Sequence, residues 1–366
     1  MILHLVTDEH FADYVLQDFS APDMHSEIVL IPCNEQLDKV LQKDKMPMAR
    51  PGTPDFQALL QRLGSYKAIV FHGLFNPWCE QVLEAVPSHV KIAWVFWNGE
   101  IYSRPGICAK MLAPGTRLLY RCRKLLKNLR GTAPEDYFVP LHYFRRIGLC
   151  LTDVQEEYQF VKDVIGNPRL QWGWYNYYSL EETVGPLLEA HCAGDGILVG
   201  NSASIECNHL ESFWALRRKD LRERQVYVPL SYGMPWVRNY ACKIGQLLMK
   251  SHFYPLLDYL PRTEYNRILC SCPTVIMAHW RPNAMGNCIA ALWLGARLYM
   301  SEHSDDYRYF KRIGITLFSV ERDLKKGDFS PLPEADWRHN QQILREIYAR
   351  DAKKQKLREL VTVLDR

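Results

Sequence analysis

ILVGNSASIECNHLE, residues 197–211, is the stretch on which the reading of this chain turns. Ile197-Leu198-Val199 is a short apolar run of the kind buried in a parallel sheet. Gly200-Asn201-Ser202 is a turn, and Ser202 or Ser204 can cap the helix that follows. Free backbone N–H groups at such a helix start suit a phosphate or another anion, and Asn201 adds a side-chain donor. The same residues also make an ordinary strand-to-helix turn with a good cap, and alone they do not decide between the two.

Outward from this segment the pattern repeats. Toward the C-terminus, strands are expected at Gly196–Gly200, Gln225–Leu230, Thr274–Ala278, Arg297–Met300 and Ile315–Phe318. Helices are expected at Ala203–Lys219, Tyr240–Asp258, Met285–Gly295 and Asp305–Ile313. Toward the N-terminus, strands read Ile2–Thr7, Glu27–Ile31, Ala68–His72, Lys91–Phe96 and Gly148–Thr152, with helices at Pro54–Leu63 and Pro77–Ala85. Alternation of this kind makes α/β domains with parallel sheets. The 366 residues are comfortable for two domains. The expected division is an N-terminal domain over 1–178, a second over 195–333 and a charged helical tail over 334–366. Two Rossmann-like, doubly wound domains facing a cleft are the architecture called GT-B, an outline shared by enzymes of unrelated chemistry.

Composition narrows the class. A charge of +4 with 23% charged residues is too mild to imply nucleic acid. Eleven scattered cysteines without CxxC spacing argue for reduced, buried thiols rather than zinc. MILHLVTDEHF lacks the basic start and long apolar core of a signal peptide, and no run approaches a membrane span, so the cytoplasm is the expected compartment.

Four later segments carry candidate chemistry. VYVPLSYG (226–233) ends a strand with Tyr232, able to stack on a base or sugar, and Gly233, which permits close approach of a ligand. VIMAHWRPNAMGN (275–287) delivers His279 and Arg281 to a loop before a helix that starts near Asn287. The arginine fork matches a diphosphate. YMSEHSDDY (299–307) places Glu302 where an acid can bind ribose or sugar hydroxyls. Asp305-Asp306 favour the helix dipole there, and with no DxD at a strand end no catalytic metal is expected. WVFWNGEIY (94–102) turns Glu100 toward the cleft, either as a general base for an acceptor hydroxyl or as a solvated turn carboxylate. RLLYRCRKLLKNLR (117–130) is a basic amphipathic helix. Its Arg117, Arg121, Arg123, Lys124, Lys127 and Arg130 suit an anionic membrane face, or else are solvated charges on a helix packed against the sheet.

Together ILVGNSASIECNHLE, VPLSYG, AHWRPNAMGN, LYMSE…YRYFKRIGI and FWNGEIY resemble glycosyltransferase family 56, over roughly Trp94 to Ile315. That family is typified by the TDP-N-acetylfucosamine:lipid II N-acetylfucosaminyltransferase of enterobacterial common antigen synthesis. The resemblance implies a GT-B fold, a nucleotide diphosphate sugar as co-substrate, no metal and no other cofactor. It also implies a polyprenyl-diphosphate-linked saccharide acceptor and peripheral attachment to the cytoplasmic membrane face. On this reading Asn201, Ser202, His279, Arg281 and Asn287 hold the diphosphate. Tyr232 and Gly233 line the base pocket, and Glu302 binds hydroxyls. Glu100 is the base if the reaction inverts. A nucleotide-sugar epimerase with the same grip, or a non-catalytic nucleotide-sugar-binding module, are the competing readings.

Overall fold

The computed structural model describes residues 1–7, 11–33, 39–129 and 137–366. They form two compact units. The first gathers the described residues of 1–104, 135–179 and 350–366, and the second those of 105–134 and 180–349. The chain passes from the first unit to the second after Ser179. It also changes unit at Arg104–Pro105 and again at Ala349–Arg350. The charged tail is two helices, Glu334–Tyr348 and Arg350–Asp365, and they fall in different units.

The first unit is built on β1 (Ile2–Thr7), β2 (Ser26–Ile31), β3 (Ala68–His72), β4 (Lys91–Val95), β5 (Leu149–Leu151) and β6 (Gln171–Gly173). All neighbours are parallel, in the order β2-β1-β3-β4-β5-β6. Strand β1 is buried at every residue, as a strand covered on both faces must be. Leu357, Leu360, Val361 and Leu364 of the last helix join Ile2, Val6 and Val15 in one core. Lys353 fastens that helix: its ammonium lies 2.7 Å from Asp18 Oδ1 and donates to the Tyr177 carbonyl at 2.6 Å, fully inside the protein.

The second unit is built on β7 (Ile197–Val199), β8 (Val226–Pro229), β9 (Phe253–Leu256), β10 (Thr274–Met277), β11 (Arg297–Met300) and β12 (Phe318–Ser319). The order is β12-β11-β10-β7-β8-β9, again parallel throughout. Strand order reverses between β7 and β10, the point at which an open sheet leaves a crevice for ligands.

Two helices are shorter than the sequence suggests. The one expected over Ala203–Lys219 is a single tight turn, Ile205–Cys207, and then a helix, His209–Leu216. Between them Asn208 is left-handed at φ 48°, which an asparagine tolerates better than most residues. The helix expected over Tyr240–Asp258 is Pro235–Met249, and β9 follows it. Pro255 lies in β9 opposite Val228, and β9 is an edge strand, where a missing N–H costs no ladder bond.

Candidate functional site

Because the sheet is parallel, the carboxyl ends of β8, β7, β10 and β11 lie side by side along one edge. They release, in that order, the loops carrying Tyr232–Gly233, Asn201–Ser202, His279–Arg281 and Glu302. The two central loops meet. His279 Nε2 lies 3.1 Å from Asn201 Oδ1, across the place where the strand order reverses. The Cys207 thiol donates to the same oxygen at 3.3 Å, and Asn201 Nδ2 donates to the Tyr232 hydroxyl at 3.2 Å. Asn201 thereby ties three loops together. Ser202 is buried beside it, its hydroxyl 3.8 Å from Cys207 Sγ.

Burial holds both histidines of this edge neutral. The His279 imidazole is pushed down to about 3 by burial and then by the nearby Arg281 charge. His209 is pushed down to about 4 by burial alone. Neither His209 nitrogen has a hydrogen-bond partner among the described residues, and its Nε2 lies 3.0 Å from where a Cβ on Gly200 would stand. Gly200, at φ +68°, is the residue that lets the β7 loop close over this ring.

Arg281 pairs with Glu206 at 3.6 Å, and the two side chains are 13% and 7% exposed. Nothing in the sequence SASIEC marks Glu206 as an acid turned inward. Tyr232 is 56% exposed and continues the edge outward. Gly233, expected to admit a ligand, instead admits backbone: a Cβ there would stand 2.6 Å from the Ala203 carbonyl oxygen. Ala203 and Gly233 form an isolated bridge, with Ala203 N–H donating to the Tyr232 carbonyl at 2.8 Å. Glu302 pairs with Arg322, and its N–H donates to Glu321 Oε2 at 3.1 Å. Asn287 lies in the first turn of the Met285–Trp293 helix, whose cap, Ala284, is left-handed at φ 57°. That conformation costs a non-glycine residue about 1 kcal/mol.

The basic helix, Pro114–Leu129, belongs to the second unit. Its start is clasped from the helix His209–Leu216. Asn208 Oδ1 accepts from Ala113 N–H at 3.0 Å while Asn208 Nδ2 donates to the Ala278 carbonyl at 2.7 Å. Glu211 accepts from Thr116 N–H at 2.9 Å and from its hydroxyl, an acid at a helix N-terminus. Arg117 lies 5.5 Å from the Trp280 ring centre and Arg123 4.6 Å from that of Trp236. These two arginines therefore pack on the unit. Arg121 and Lys124 are exposed, as are Leu118 and Leu129 at 64% and 76%. Lys127 is half-buried, and Arg130 lies outside the described residues.

Glu100 requires a correction. Its carboxylate is 1% exposed and turned into the first unit, neither solvated nor presented outward. Oε1 accepts from Trp94 Nε1 at 3.0 Å and from Leu74 N–H at 3.2 Å, and Oε2 from Trp97 N–H at 3.2 Å. Burial raises the acid to about 7 against the pull of those hydrogen bonds. The turn itself sends it inward: Asn98, at φ 74° and ψ −48°, makes a tight three-residue turn in which Gly99 N–H bonds the Trp97 carbonyl at 2.9 Å. Glu100 braces the β3 and β4 ends.

Beside it runs a one-way hydrogen-bond chain. Ser26 donates to the Met24 carbonyl at 2.8 Å, so it accepts from His4 Nε2 at 3.3 Å. His4 Nδ1 then accepts from His72 Nε2 at 3.1 Å, and His72 Nδ1 accepts from the Tyr177 hydroxyl at 3.0 Å. Tyr177 accepts from Trp97 Nε1 at 2.7 Å. The Ser26 end sets the direction and with it both tautomers, and the Trp97 donation is compatible with it because it leaves the Tyr177 proton for His72. Burial keeps both rings neutral, His4 at about 3 and His72 well below the usual histidine range. His72, at the end of β3, thus has its basic nitrogen occupied.

Among the described residues no three histidine, cysteine or acidic side chains stand close enough together to hold a metal ion. No described helix is long and apolar enough to cross a membrane.

By sequence the chain matches no protein-family profile and no curated protein. By structure it is similar along its whole length to glycosyltransferases. A glycosyltransferase from Rickettsia africae is 10% identical, with a TM-score of 0.65 over 99% of this chain and 98% of that one. HepE from Anabaena, solved with UDP-glucose, is 9% identical, with a TM-score of 0.62 over 99% of both chains. The lipopolysaccharide outer core galactosyltransferase WaaB is 8% identical, with a TM-score of 0.59 over 99% of both. Likeness at this identity establishes the fold: two parallel, doubly wound units of the GT-B class, with a C-terminal helix.

Proposed function

We propose that this chain is a metal-independent glycosyltransferase. It takes a sugar from a nucleoside diphosphate and passes it to a polyprenyl-diphosphate-linked saccharide in surface-polysaccharide synthesis, on the inner face of the cell membrane. The observation that carries the donor half is the junction of Asn201 with His279, beside Arg281, where the second sheet reverses its strand order. In support, HepE, of the same fold, has been solved with UDP-glucose. Arg281 and the β7 and β10 loops would hold the diphosphate, and Tyr232 would reach the base. Asn287 would add the start of the Met285–Trp293 helix. Stabilising the departing diphosphate is the main catalytic contribution these residues can make.

The acceptor half rests on the Pro114–Leu129 helix. Leu118, Leu125 and Leu129 face outward beside Arg121 and Lys124, an apolar stripe flanked by cations that suits an anionic lipid surface. N-acetylfucosamine, or a related hexose, is the sugar the family 56 resemblance suggests.

The test is thermal unfolding with TDP-, UDP- and GDP-sugars, for wild type and Arg281→Ala. Binding to the native state raises the midpoint. One nucleotide class should protect wild type and lose that protection in the variant. Equal protection of both proteins would remove Arg281 from the donor site.

A further inference from the structure

At the amino edge of the second sheet two segments enclose a cavity of about 380 Å³. One, residues 218–224, leads into β8, and the other, residues 326–330, follows the Leu324–Lys326 turn. They touch: Lys219 donates to the Lys325 carbonyl, and a Cβ on Gly327 would stand 3.4 Å from Lys219 Cδ. The second segment is tied to the first residues of two strands. Thr274 Oγ1 of β10 donates to the Phe329 carbonyl at 3.1 Å, and Arg297 Nε of β11 donates to the Ser330 carbonyl at 3.0 Å. The length of these four-residue strands, roughly 13 Å, separates the cavity from the edge that carries Asn201 and Arg281.

The lining is unbalanced in charge. It carries Arg218, Lys219, Arg222, Arg224 and Lys326 against Asp220 and Asp328. Asp328 is committed elsewhere: Oδ2 lies 3.0 Å from Arg297, and Oδ1 accepts from the Ser330 hydroxyl at 2.6 Å. Asp220 reaches only Arg222, at 3.9 Å, and both side chains are exposed, where such a pair contributes little. Lys326 pairs with Asp323 at 2.8 Å. Lys219 meets a carbonyl, which leaves its charge uncompensated. The side chains of Arg218 and Arg224 have no hydrogen bond or ion pair among the described residues. Arg224 Nε is buried all the same, and its guanidinium meets only the Phe329 ring, 6.0 Å away, the outer limit of a cation–π contact. A buried donor left unmatched is costly.

An anion in the cavity supplies the acceptor that Arg224 lacks and relieves the repulsion among the cations. A phosphate group suits this lining better than a carboxylate does. Its extra charge and third oxygen let it take a guanidinium fork and a lysine ammonium together. The volume is that of a small-molecule site, and Phe329 gives it one apolar wall. We propose that this cavity binds the phosphate group of a phosphate ester, held by Arg224, Arg218 and Lys219. The site is independent of the donor-site reading, and its ligand takes no part in the transfer itself.

The experiment is calorimetric titration of the full chain with inorganic phosphate and pyrophosphate. Wild type is compared with Arg281→Ala, and Arg224→Gln, Arg218→Gln and Lys110→Gln are each added to Arg281→Ala. Arg281→Ala removes the cation expected to hold a diphosphate at the other edge. Lys110 is an exposed lysine outside the cavity. Pyrophosphate should still bind Arg281→Ala, should bind about tenfold more weakly once Arg224→Gln is added, and should be unmoved by Lys110→Gln. Arg218 is exposed, so Arg218→Gln should keep the melting temperature while weakening pyrophosphate about threefold, whatever Arg224→Gln does to folding. Vesicles containing phosphatidic acid, added to Arg281→Ala that also carries Arg121→Glu and Lys124→Glu, separate two sources of the phosphate. Displacement of pyrophosphate assigns a lipid headgroup and its persistence a soluble ester, and both support the site. Pyrophosphate that binds wild type but not Arg281→Ala would overturn the cavity and leave the donor site standing. Equal weakening by Arg224→Gln, Arg218→Gln and Lys110→Gln would reduce the effect to general surface charge and overturn the proposal as well.

Discussion

His279 and Asn201 come from strand ends that are adjacent in space and 78 residues apart in sequence, and they are joined side chain to side chain at 3.1 Å. Residues in one hydrogen-bonded network do not contribute independently. Asn201→Ala and His279→Ala should each weaken nucleotide protection, and the double variant should lose less than the sum. A coupling on the order of 1 kcal/mol is expected from a double-mutant cycle in thermal-shift affinities. Strict additivity would mean that the contact does not operate in the bound protein.

Glu100 makes the first unit sensitive to pH. Its folded value, about 7, lies above the ordinary 4.5, so the folded state holds the proton better than the unfolded one. The stabilising share is present in full below 4.5 and is lost as pH rises through 7. Compared by denaturant unfolding across that range, wild type should lose roughly 3 kcal/mol relative to Glu100→Gln. A flat difference between the two proteins would show the carboxyl to be ordinary.

His209 acts in the opposite sense. Its folded value of about 4 lies below the ordinary 6.5, so only the unfolded chain takes up the proton in between. Stability should fall as pH drops below 6.5, by up to about 1.4 kcal/mol per unit for this one group. His209→Leu removes a buried ring whose nitrogens have no partner. It should be neutral or stabilising by about 1 kcal/mol near pH 7, and less sensitive to acid. A large loss of stability at neutral pH would mean that the ring holds something the protein needs.

On the Pro114–Leu129 helix the outward and inward residues should separate in two assays. Arg121→Glu with Lys124→Glu, or Leu118→Ser with Leu129→Ser, should abolish co-sedimentation with vesicles rich in anionic lipid and leave the melting temperature unchanged. Arg123→Ala should do the reverse, costing about 1 kcal/mol through its lost contact with Trp236. Undiminished vesicle binding in both outward pairs would exclude this face as the lipid contact.

Lys353 stands buried against Asp18. Lys353→Met leaves that carboxylate without its cation and should cost about 3–5 kcal/mol in denaturant unfolding. Adding Asp18→Leu should restore much of the loss. Additive damage in the double variant would show that the two residues act separately.

Much of the second unit could be read from sequence, because a strand end announces itself by an apolar run and a turn. β11, from Arg297 to Met300, matches its expected bounds, and β7, β8 and β10 lie inside theirs. Edges were harder. β9 hides behind an amphipathic helix and carries Pro255, while β6 is three residues within an aromatic run. Which way a turn residue faces was not legible either. Glu100 turns inward because Asn98 adopts a rare backbone conformation, and Gly233 serves the Ala203 backbone. Glu206 gave no local signal, since its partner Arg281 lies 75 positions on.

The passage of residues 105–129 into the second unit, and of the last helix into the first, bears on how such molecules can be recombined. A chimera cut once, after Ser179, would hand its first half a sheet stripped of the Leu357–Leu364 face that closes its core. Asn208 and Glu211 would meanwhile grip a foreign helix start. Donor preference could be transplanted between relatives only by moving non-contiguous pieces together, so the unit of exchange in this molecule is spatial rather than linear.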